Sequence, residues 1–295
     1  MIVAYDTETT GLWKNGLSIE HEAQPKICSI SAILIDETSD NTFEVVDSFD
    51  YIVKPDGWTI ADPILPKLGI TMEEAKAQKI RVSASDIHGI TQEMAMEKGV
   101  PLFDAMKHFA EMSKQADSWL AHNESYDNLV VRHALKLLKR SIVIPEKRIC
   151  TMMMSKDYCR LKPNFPGGDW KWPKLEEAYE IVFKKPLVNA HSSLADITQS
   201  VELYQELKRR GVPDAGPAKE RTGMKLKDWS DLGWTLERLE RIIKLRHDPN
   251  TALTDWDRKF LTSLDERLSQ FGAEVYLSEK QIDAFKKIED KLAES

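Results

Sequence analysis

The segment 26–36 limits the possible folds of this chain more than any other part of the sequence. It is an almost unbroken run of apolar and small side chains, including Ile27, Ile30, Ile33 and Ile35. Such a run is typical of a strand at the centre of a sheet, covered on both faces. Residues 2–7 and 43–53 are also rich in strand formers, so we expect three successive strands before the first long helix.

The next part of the chain alternates between helical and strand patterns. Apolar residues recur at helical spacing in 101–114, 126–138 and 194–210, and 119–121 is a short apolar run between the first two. Strands followed by alternating helices and strands predict an α/β fold, a mixed sheet with helices on its faces.

Acidic residues follow the first predicted strand. Asp6 and Glu8 stand two residues apart, so alternation along a strand places both side chains on the same face. Two further polar clusters occur later, at 122–127 and at His191 with Asp196. We expect the three clusters to share one pocket.

Neighbouring carboxylates repel each other and stay ionised readily only when a cation lies between them. Ligands that are all oxygen suit Mg²⁺ or Mn²⁺ better than zinc. Two such ions about 3.5–4 Å apart can stabilise the attacking and leaving oxygens of a phosphoryl displacement. His191 is suited to accept a proton from an attacking water, because a neutral imidazole is available near neutral pH.

The order of these residues resembles that of a known enzyme family. Asp6-x-Glu8, Asn123-x-x-x-Asp127 and His191-x-x-x-x-Asp196 are similar to the three motifs of the DEDDh 3′–5′ exonucleases. The segment 86–91 resembles the family's Ile-His-Gly-Ile-Thr signature, and 149–152 resembles its Cys-Thr segment. The resemblance covers residues 1–210.

The resemblance implies an RNase H-like fold and release of nucleoside monophosphates from a 3′ end. It implies that two Mg²⁺ or Mn²⁺ ions are held by four acids, with His191 as the general base; the acids are Asp6, Glu8, Asp127 and Asp196. It also implies a set of substrate-binding residues: Thr7, Thr9, Leu12, Trp13, His88 and Asn123.

The charge of the chain is unevenly distributed. The net charge is −7, which by itself argues against a nucleic-acid partner. Residues 132–185, however, hold thirteen Lys and Arg against six Asp and Glu. An enzyme that holds a short single-stranded end through metals needs few phosphate contacts, so weak, salt-sensitive binding is expected. The partner that we expect, from the resemblance, is a single-stranded 3′ end of nucleic acid, DNA more than RNA.

Composition also bears on location. No apolar run approaches the roughly 20 residues of a membrane helix, and the first residues lead directly into a strand rather than a signal peptide. The three cysteines lack paired metal-ligand spacing, which fits reduced thiols. We therefore expect a cytoplasmic protein with no membrane partner.

The character of the chain changes after residue 211, where two glycines and two prolines occur within seven residues. We assign residues 1–212 to the exonuclease domain, 213–228 to a linker and 229–295 to a C-terminal helical module. Helices are expected at 235–247, 254–271 and 278–293. A protein partner could dock on this module, and 281–285 faintly resembles a peptide that binds sliding clamps, although Ile282 and Phe285 fall on the apolar stripe of a helix.

Two segments allow more than one interpretation. Residues 68–75 echo 89–95, either as a local duplication or because Thr71 and Glu74 form a capping box at a helix start. Residues 162–174 interleave Trp170 and Trp172 with lysines, so these rings could stack on unpaired bases or pack onto the domain. The ring of Trp13 could likewise stack on a base or pack onto the domain.

The sequence thus predicts a metal-dependent 3′–5′ exonuclease acting on single-stranded or frayed DNA. Two alternatives remain. One is an exoribonuclease resembling RNase T, because recognition of the sugar depends on contacts to its 2′ position. The other is a non-hydrolytic nucleic-acid-binding scaffold, against which the intact set of five polar residues argues.

Overall fold

The computed structural model describes residues 1–14, 17–38, 42–163, 169–187, 193–217, 223–225, 235–271 and 275–293. The chain divides into two compact units. The first comprises residues 1–13 and 19–218, and the second comprises residues 14–18 and 219–295.

The first unit is built on a five-stranded sheet. Its strands are β1 (Ile2–Thr9), β2 (Ile27–Glu37), β3 (Phe43–Ile52), β4 (Ser118–Ala121) and β5 (Lys147–Cys150). They lie in the order β3-β2-β1-β4-β5, in which β1 pairs antiparallel with β2 and parallel with β4. The sheet is mixed, as the sequence predicts. β2 lies inside the sheet between β3 and β1, as its apolar run indicates, although the middle strand is β1.

Helices cover both faces of this sheet. The helices of the first unit are α1 (Leu65–Leu68), α2 (Met72–Ala77), α3 (Ala84–His88), α4 (Gln92–Lys98), α5 (Leu102–Ser113), α6 (Glu124–Leu137), α7 (Thr151–Cys159), α8 (Leu175–Phe183) and α9 (Ser193–Arg209). Val3 and Tyr5 of β1 belong to the buried cluster that includes α5 and α6. Ile2 and Ala4 belong to the cluster that includes α8 and α9. The alternation of β1 side chains therefore assigns even-numbered residues to the α9 face.

The segment between β3 and α5 forms the four short helices α1 to α4. Thr71 caps α2 with a complete capping box, in which its hydroxyl accepts from Glu74 N while the Glu74 carboxylate accepts from Thr71 N. This confirms the helix-start interpretation of residues 68–75, because both residues act as local capping groups.

Residues that follow α9 pack onto the first unit. Cys150 N donates to the Ala215 carbonyl at 2.8 Å, and Lys147 lies 2.8 Å from Asp214. Val212 and Ala215 pack against the cluster on the α9 face. Residues 213–217 of the predicted linker are therefore attached to the domain that precedes it, whereas residues 223–225 belong to the second unit. The exact domain boundary stays a prediction.

The second unit has its own core. Its elements are β6 (Gly223–Lys225), α10 (Leu236–Lys244), a 3₁₀ turn (Leu245–His247), α11 (Asp255–Phe271), β7 (Tyr276–Ser278) and α12 (Glu279–Ala293). The three helices agree with the predicted module, and the antiparallel β6–β7 pair adds to it. Ile282 and Phe285 are 7% and 0% exposed within the core, so they are not free for a clamp. Across the described ranges, every helix is too short or too polar to cross a membrane.

A chain that ends at Pro217 should fold cooperatively without the second unit, because each unit buries its own apolar cluster. A chain that ends at Gly211 should melt lower, since it loses the burial of Val212 and Ala215 and the bond from Cys150 N. A loss of about 2 kcal/mol corresponds to about 4–8 °C in a domain of this size. Calorimetry on both chains measures the difference. Non-cooperative melting of the chain that ends at Pro217 would show that the first unit needs the second to complete its core.

Candidate metal centre

The acidic end of β1 brings three carboxylates together. Asp6 and Glu8 follow Ile2 and Ala4 on the even-numbered face, which α9 covers. Asp196 lies in the first turn of α9. Carboxylate oxygens of Asp6, Glu8 and Asp196 all lie within 4.8 Å of one another. The register of β1 against β2 shifts between Glu8 and Thr9, at the strand end where these acids lie.

A fourth carboxylate, Asp127, comes from α6. It is 3% exposed, and its Oδ1 accepts hydrogen bonds from Thr7 N at 3.1 Å and from Thr7 Oγ1 at 2.7 Å. Thr7 lies between Asp6 and Glu8, so its two bonds fix Asp127 beside the other acids. Because both bonds go to Oδ1, the second oxygen keeps its lone pairs for another partner.

The four acids line one cavity of about 210 Å³. Residues from β1, the start of α6, the start of α8 and α9 contribute to its wall. They are Asp6, Thr7, Glu8, His122, Asn123, Tyr126, Asp127, Leu175, Glu176, Leu187 and Asp196.

Burial and, to a smaller extent, the neighbouring acids raise the pKa values of these carboxyl groups. Burial, then the neighbouring Asp127, Glu8 and Asp196, raise the pKa of Asp6 well above its ordinary value. Burial and the charge of Asp196 raise the pKa of Glu8 to about 7. Burial raises the pKa of Asp127 to about 8, although the bonds from Thr7 act in the opposite direction. Four carboxylates in this arrangement are unfavourable near neutral pH without positive charge.

These residues fit a hard divalent cation. Every donor in the cluster is a carboxylate oxygen, the ligand type that Mg²⁺ and Mn²⁺ prefer. A cation would also offset both the burial of these charges and the repulsion between them, the two causes of the raised pKa values. Asp6, Glu8 and Asp196 are therefore the residues placed to hold a metal ion, with Asp127 beside them.

The stability of the metal-free protein should fall with pH, whereas the stabilisation that metal adds should grow with pH. A carboxyl group whose folded pKa is raised stabilises the fold below its unfolded value, about 4, and this contribution is lost as pH rises through the folded value. With chelator, the melting temperature should therefore fall between about pH 5 and 8. Metal at a hundred times its Kd adds about 2.7 kcal/mol, which corresponds to about 5–10 °C. This increment should grow with pH, because binding requires the ionised acids.

Differential scanning calorimetry across this pH range, with excess Mg²⁺ or Mn²⁺ and with chelator, measures both trends. Glu8→Gln is the matched variant, since it removes one raised carboxyl and should flatten the fall of the melting temperature in chelator. A metal increment that is constant or larger at low pH would contradict carboxylate binding.

The structure separates the predicted substrate-binding residues into two groups. Thr7 and Asn123 line the cavity. Asn123 occupies the N-cap position of α6 with φ 74° but makes no side-chain capping bond, and its Oδ1 accepts from Ser125 Oγ at 3.2 Å. This left-handed conformation is one that asparagine adopts more readily than most residues.

The other four predicted residues do not line the cavity. Thr9 Oγ1 is bonded to the Gly11 carbonyl at 2.8 Å, and Leu12 is 84% exposed. Trp13 packs half-buried against the core cluster on the α5 and α6 face. His88 Nδ1 accepts a hydrogen bond from Ile90 N at 3.0 Å, and its ring lies near the Thr9 carbonyl. Burial lowers the pKa of His88. Their contacts with substrate stay predictions.

His191, the predicted general base, lies outside the described residues. Another histidine, His122, lines the cavity, but its two ring nitrogens already have partners. Nε2 donates to the Pro173 carbonyl at 3.1 Å, so Nδ1 accepts from Thr151 Oγ1 at 2.9 Å. Burial lowers the pKa of His122 to about 4, and the ring is therefore neutral and committed to structural bonds.

Sequence reasoning missed two residues that support the site. The Tyr126 hydroxyl lies 2.7 Å from Thr9 Oγ1 and donates to the Gly11 carbonyl at 2.9 Å, which ties α6 to the turn after β1. Glu124 is 0% exposed and lies 3.4 Å from Arg148 of β5. The sequence feature that could have identified Tyr126 and Glu124 is their position within 122–127, the polar cluster that contains Asp127.

Comparison with protein families gives a match over part of the chain. Residues 61–204 match the model of the exonuclease family RNase T. The matched segment contains Asn123, Asp127 and Asp196, whereas Asp6 and Glu8 precede it. Comparison with curated proteins finds no match.

Solved structures give a likeness of fold. Exonuclease I of E. coli in complex with a dT13 oligonucleotide has a TM-score of 0.50 and 18% identity, over 71% of this chain and 41% of that chain. Exonuclease I of Methylocaldum szegediense has a TM-score of 0.47 and 16% identity, over 82% and 45%. The RNase domain of the yeast Pop2 protein has a TM-score of 0.41 and 11% identity, over 71% and 76%.

The chain spans less than half the length of the exonuclease I structures that it matches. At 18% identity the first of these likenesses shows the fold alone. The predicted RNase H-like sheet flanked by helices is confirmed, and so is the resemblance to the exonucleases.

Proposed function

Because this chain carries a domain of the exonuclease family RNase T in residues 61–204, we propose that it is a metal-dependent 3′–5′ exonuclease. Its proposed substrate is single-stranded or frayed DNA, and its product is a nucleoside monophosphate. One observation carries the proposal: the carboxylates of Asp6, Glu8 and Asp196 converge within 4.8 Å in a cavity that Asp127 also lines.

The proposed metal ligands are Asp6, Glu8, Asp127 and Asp196. Two divalent ions bound there would supply Lewis-acid stabilisation of the charge that develops at the reacting phosphate. The donor set supports this, because four oxygen ligands from three elements meet at the end of β1.

The chain's own residues would position the reaction. Thr7 holds Asp127 through two hydrogen bonds, and Tyr126 holds the turn that follows β1. In the proposed hydrolysis, His191 takes a proton from water as its oxygen forms a bond to phosphorus. The bond from phosphorus to the 3′ oxygen of the preceding nucleotide breaks, and that oxygen takes a proton from solvent water as it leaves.

A DNA substrate has support from one solved structure and from charge. The E. coli exonuclease I structure with a TM-score of 0.50 contains a dT13 oligonucleotide. In this chain, the basic segment 132–185 includes α7, the loop after it and the start of α8, which borders the cavity. Positive charge there favours a polyanion despite the negative net charge.

Digestion of single-stranded DNA and RNA oligomers labelled at either end tests the proposal. With Mg²⁺ or Mn²⁺, a 5′-labelled DNA strand should shorten stepwise, a 3′-labelled strand should release labelled mononucleotide at once, and chelator should stop both reactions. Early release of a 5′-labelled mononucleotide would reverse the polarity. Faster digestion of RNA would identify an exoribonuclease, and binding without hydrolysis would identify a scaffold.

A further inference from the structure

The segment 169–174, between α7 and α8, presents two indole rings to solvent. Trp170 is 40% exposed and Trp172 is 41% exposed. Lys174 is also exposed, whereas Lys171 is half-buried and Pro173 is buried. Such alternation is characteristic of an extended chain lying against a domain, with every second side chain directed outward. The two indoles and the Lys174 ammonium therefore share one side of the segment.

The backbone that carries these rings is fixed at several points. Lys171 N donates to the Leu161 carbonyl at 3.1 Å, and the Lys171 ammonium pairs with Glu177 of α8. Asp169 pairs with Lys156 of α7. Trp170 and Trp172 are thus held on an anchored segment, which lowers the entropy lost when a ligand stacks on them.

The same segment leads directly into the acidic cavity. The Pro173 carbonyl accepts from His122, and His122 lines the cavity. Leu175 and Glu176 also line it. Trp172 precedes Leu175 by three residues, which is at most about 11 Å of chain at 3.8 Å per residue. The exposed rings therefore lie within a few nucleotides of a strand end bound at the carboxylates.

We propose that Trp170 and Trp172 form a stacking platform for the unpaired bases of single-stranded DNA that precede the 3′-terminal nucleotide. This inference rests on the proposed function, since it requires the 3′ end of the strand to lie in the acidic cavity. Exposed indoles suit bases because every base has a flat face, and stacking of this kind does not depend on sequence.

Charge supports a nucleic acid as the occupant. The Lys174 side chain is 63% exposed, and its ammonium lies 3.5 Å from Glu176. An exposed ion pair of this kind contributes little, so this ammonium can turn toward a phosphate. A strand stacked on the two rings would therefore pass its backbone beside Lys174. The platform binds upstream nucleotides, and hydrolysis takes place in the acidic cavity.

Binding measured with chelator tests the platform separately from hydrolysis. Fluorescence anisotropy with a labelled oligo(dT) of about eight nucleotides, within the usual site size of a single-stranded site, should show Kd raised at least about tenfold in the double variant W170L and W172L. Tryptophan to phenylalanine at both positions should restore most of the affinity, because phenylalanine retains a stacking face. Trp256→Leu is the matched control, since Trp256 is an exposed ring in the second unit.

The nucleic acid provides the second half of the test. Abasic sites upstream of the 3′-terminal nucleotide should weaken binding by the wild type about tenfold and should weaken the double variant no further. In hydrolysis with metal, the double variant should raise KM for the long strand while kcat and the rate on a dinucleotide stay unchanged. The platform would be overturned if the double variant bound oligo(dT) with an unchanged Kd. It would also be overturned if the two substitutions weakened binding of abasic and normal strands equally.

The two proposals fail in different ways. A wild-type protein that hydrolyses no oligomer but binds oligo(dT) through the two tryptophans would refute the exonuclease and retain the platform. A wild-type protein that digests DNA with no dependence on either tryptophan would refute the platform alone. Melting temperatures of the leucine variants should match the wild type, since both rings are largely outside the core.

Discussion

Asp127→Asn is expected to reduce hydrolysis at least about a thousandfold, because loss of several kcal/mol of metal-assisted stabilisation corresponds to that factor. The fold should persist, since an asparagine Oδ1 can accept the same bonds from Thr7 N and Thr7 Oγ1. Burial and neighbouring acids raise the pKa of Asp127 to about 8, so a neutral side chain is favourable in the metal-free protein. In chelator near pH 8, the variant should therefore melt no lower than the wild type. Steady-state rates and calorimetry measure the two effects.

Asp104→Asn is the matched control, because Asp104 is an exposed acid on α5, away from the cavity. It should leave the rate unchanged and lower the melting temperature by at most about 4 °C, because Asp104 is an acid in the first turn of a helix and interacts favourably with the helix dipole. Calorimetric titration with Mn²⁺ should show weaker metal binding for the Asp127 variant only. Full activity of Asp127→Asn would remove Asp127 from the proposed metal ligands. A large drop in melting temperature would instead assign it a structural role.

Much of the fold follows from patterns that are visible in the sequence. The run in 26–36 becomes β2 (Ile27–Glu37), buried along nine of its residues, because both faces of the sheet are covered by helices. Residues 101–114 become α5 (Leu102–Ser113), and 194–210 become α9 (Ser193–Arg209). These elements are long, and the apolar and polar side chains at many of their positions follow one period, which indicates the type of element.

The elements that sequence reasoning missed are short or lack a distinctive apolar pattern. β5 is the four-residue strand Lys-Arg-Ile-Cys, and only its last two residues are buried. Its strand structure comes from pairing with β4. The three-residue strands β6 and β7 depend on each other in the same way. Pairing between distant segments leaves little signal in either segment alone.

In the candidate site, too, some features follow from local sequence and others depend on tertiary packing. Alternation places Asp6 and Glu8 on one face, a local property of the strand. By contrast, the sequence does not reveal whether an acid is buried. Glu124 is 0% exposed at the start of α6, and Arg148 of β5 lies 3.4 Å from it. Leu175 and Glu176 reach the cavity through the packing of α8, which the sequence analysis did not predict.

His191→Ala should lower kcat by about two to four orders of magnitude, the usual contribution of a general base, while binding of a 3′ end in chelator stays nearly intact. The competing candidate in the cavity is His122, but its ring nitrogens are bonded to Thr151 and Pro173. Burial lowers the pKa of His122 to about 4, so it would not produce a rate change near neutral pH. Single-turnover hydrolysis across the neutral pH range measures the effect.

His21→Ala is the matched control, because His21 is an exposed histidine whose Nδ1 accepts a local hydrogen bond from Ala23 N. It should leave kcat and its pH profile unchanged. In the His191 variant, the dependence of the rate on pH near neutrality should disappear, and added imidazole should restore part of the rate by accepting the proton from water. If binding of the 3′ end falls as much as kcat, His191 holds the substrate or the fold instead of accepting a proton. The base would then have to be sought among the carboxylates, because the His122 ring is already committed to structural bonds.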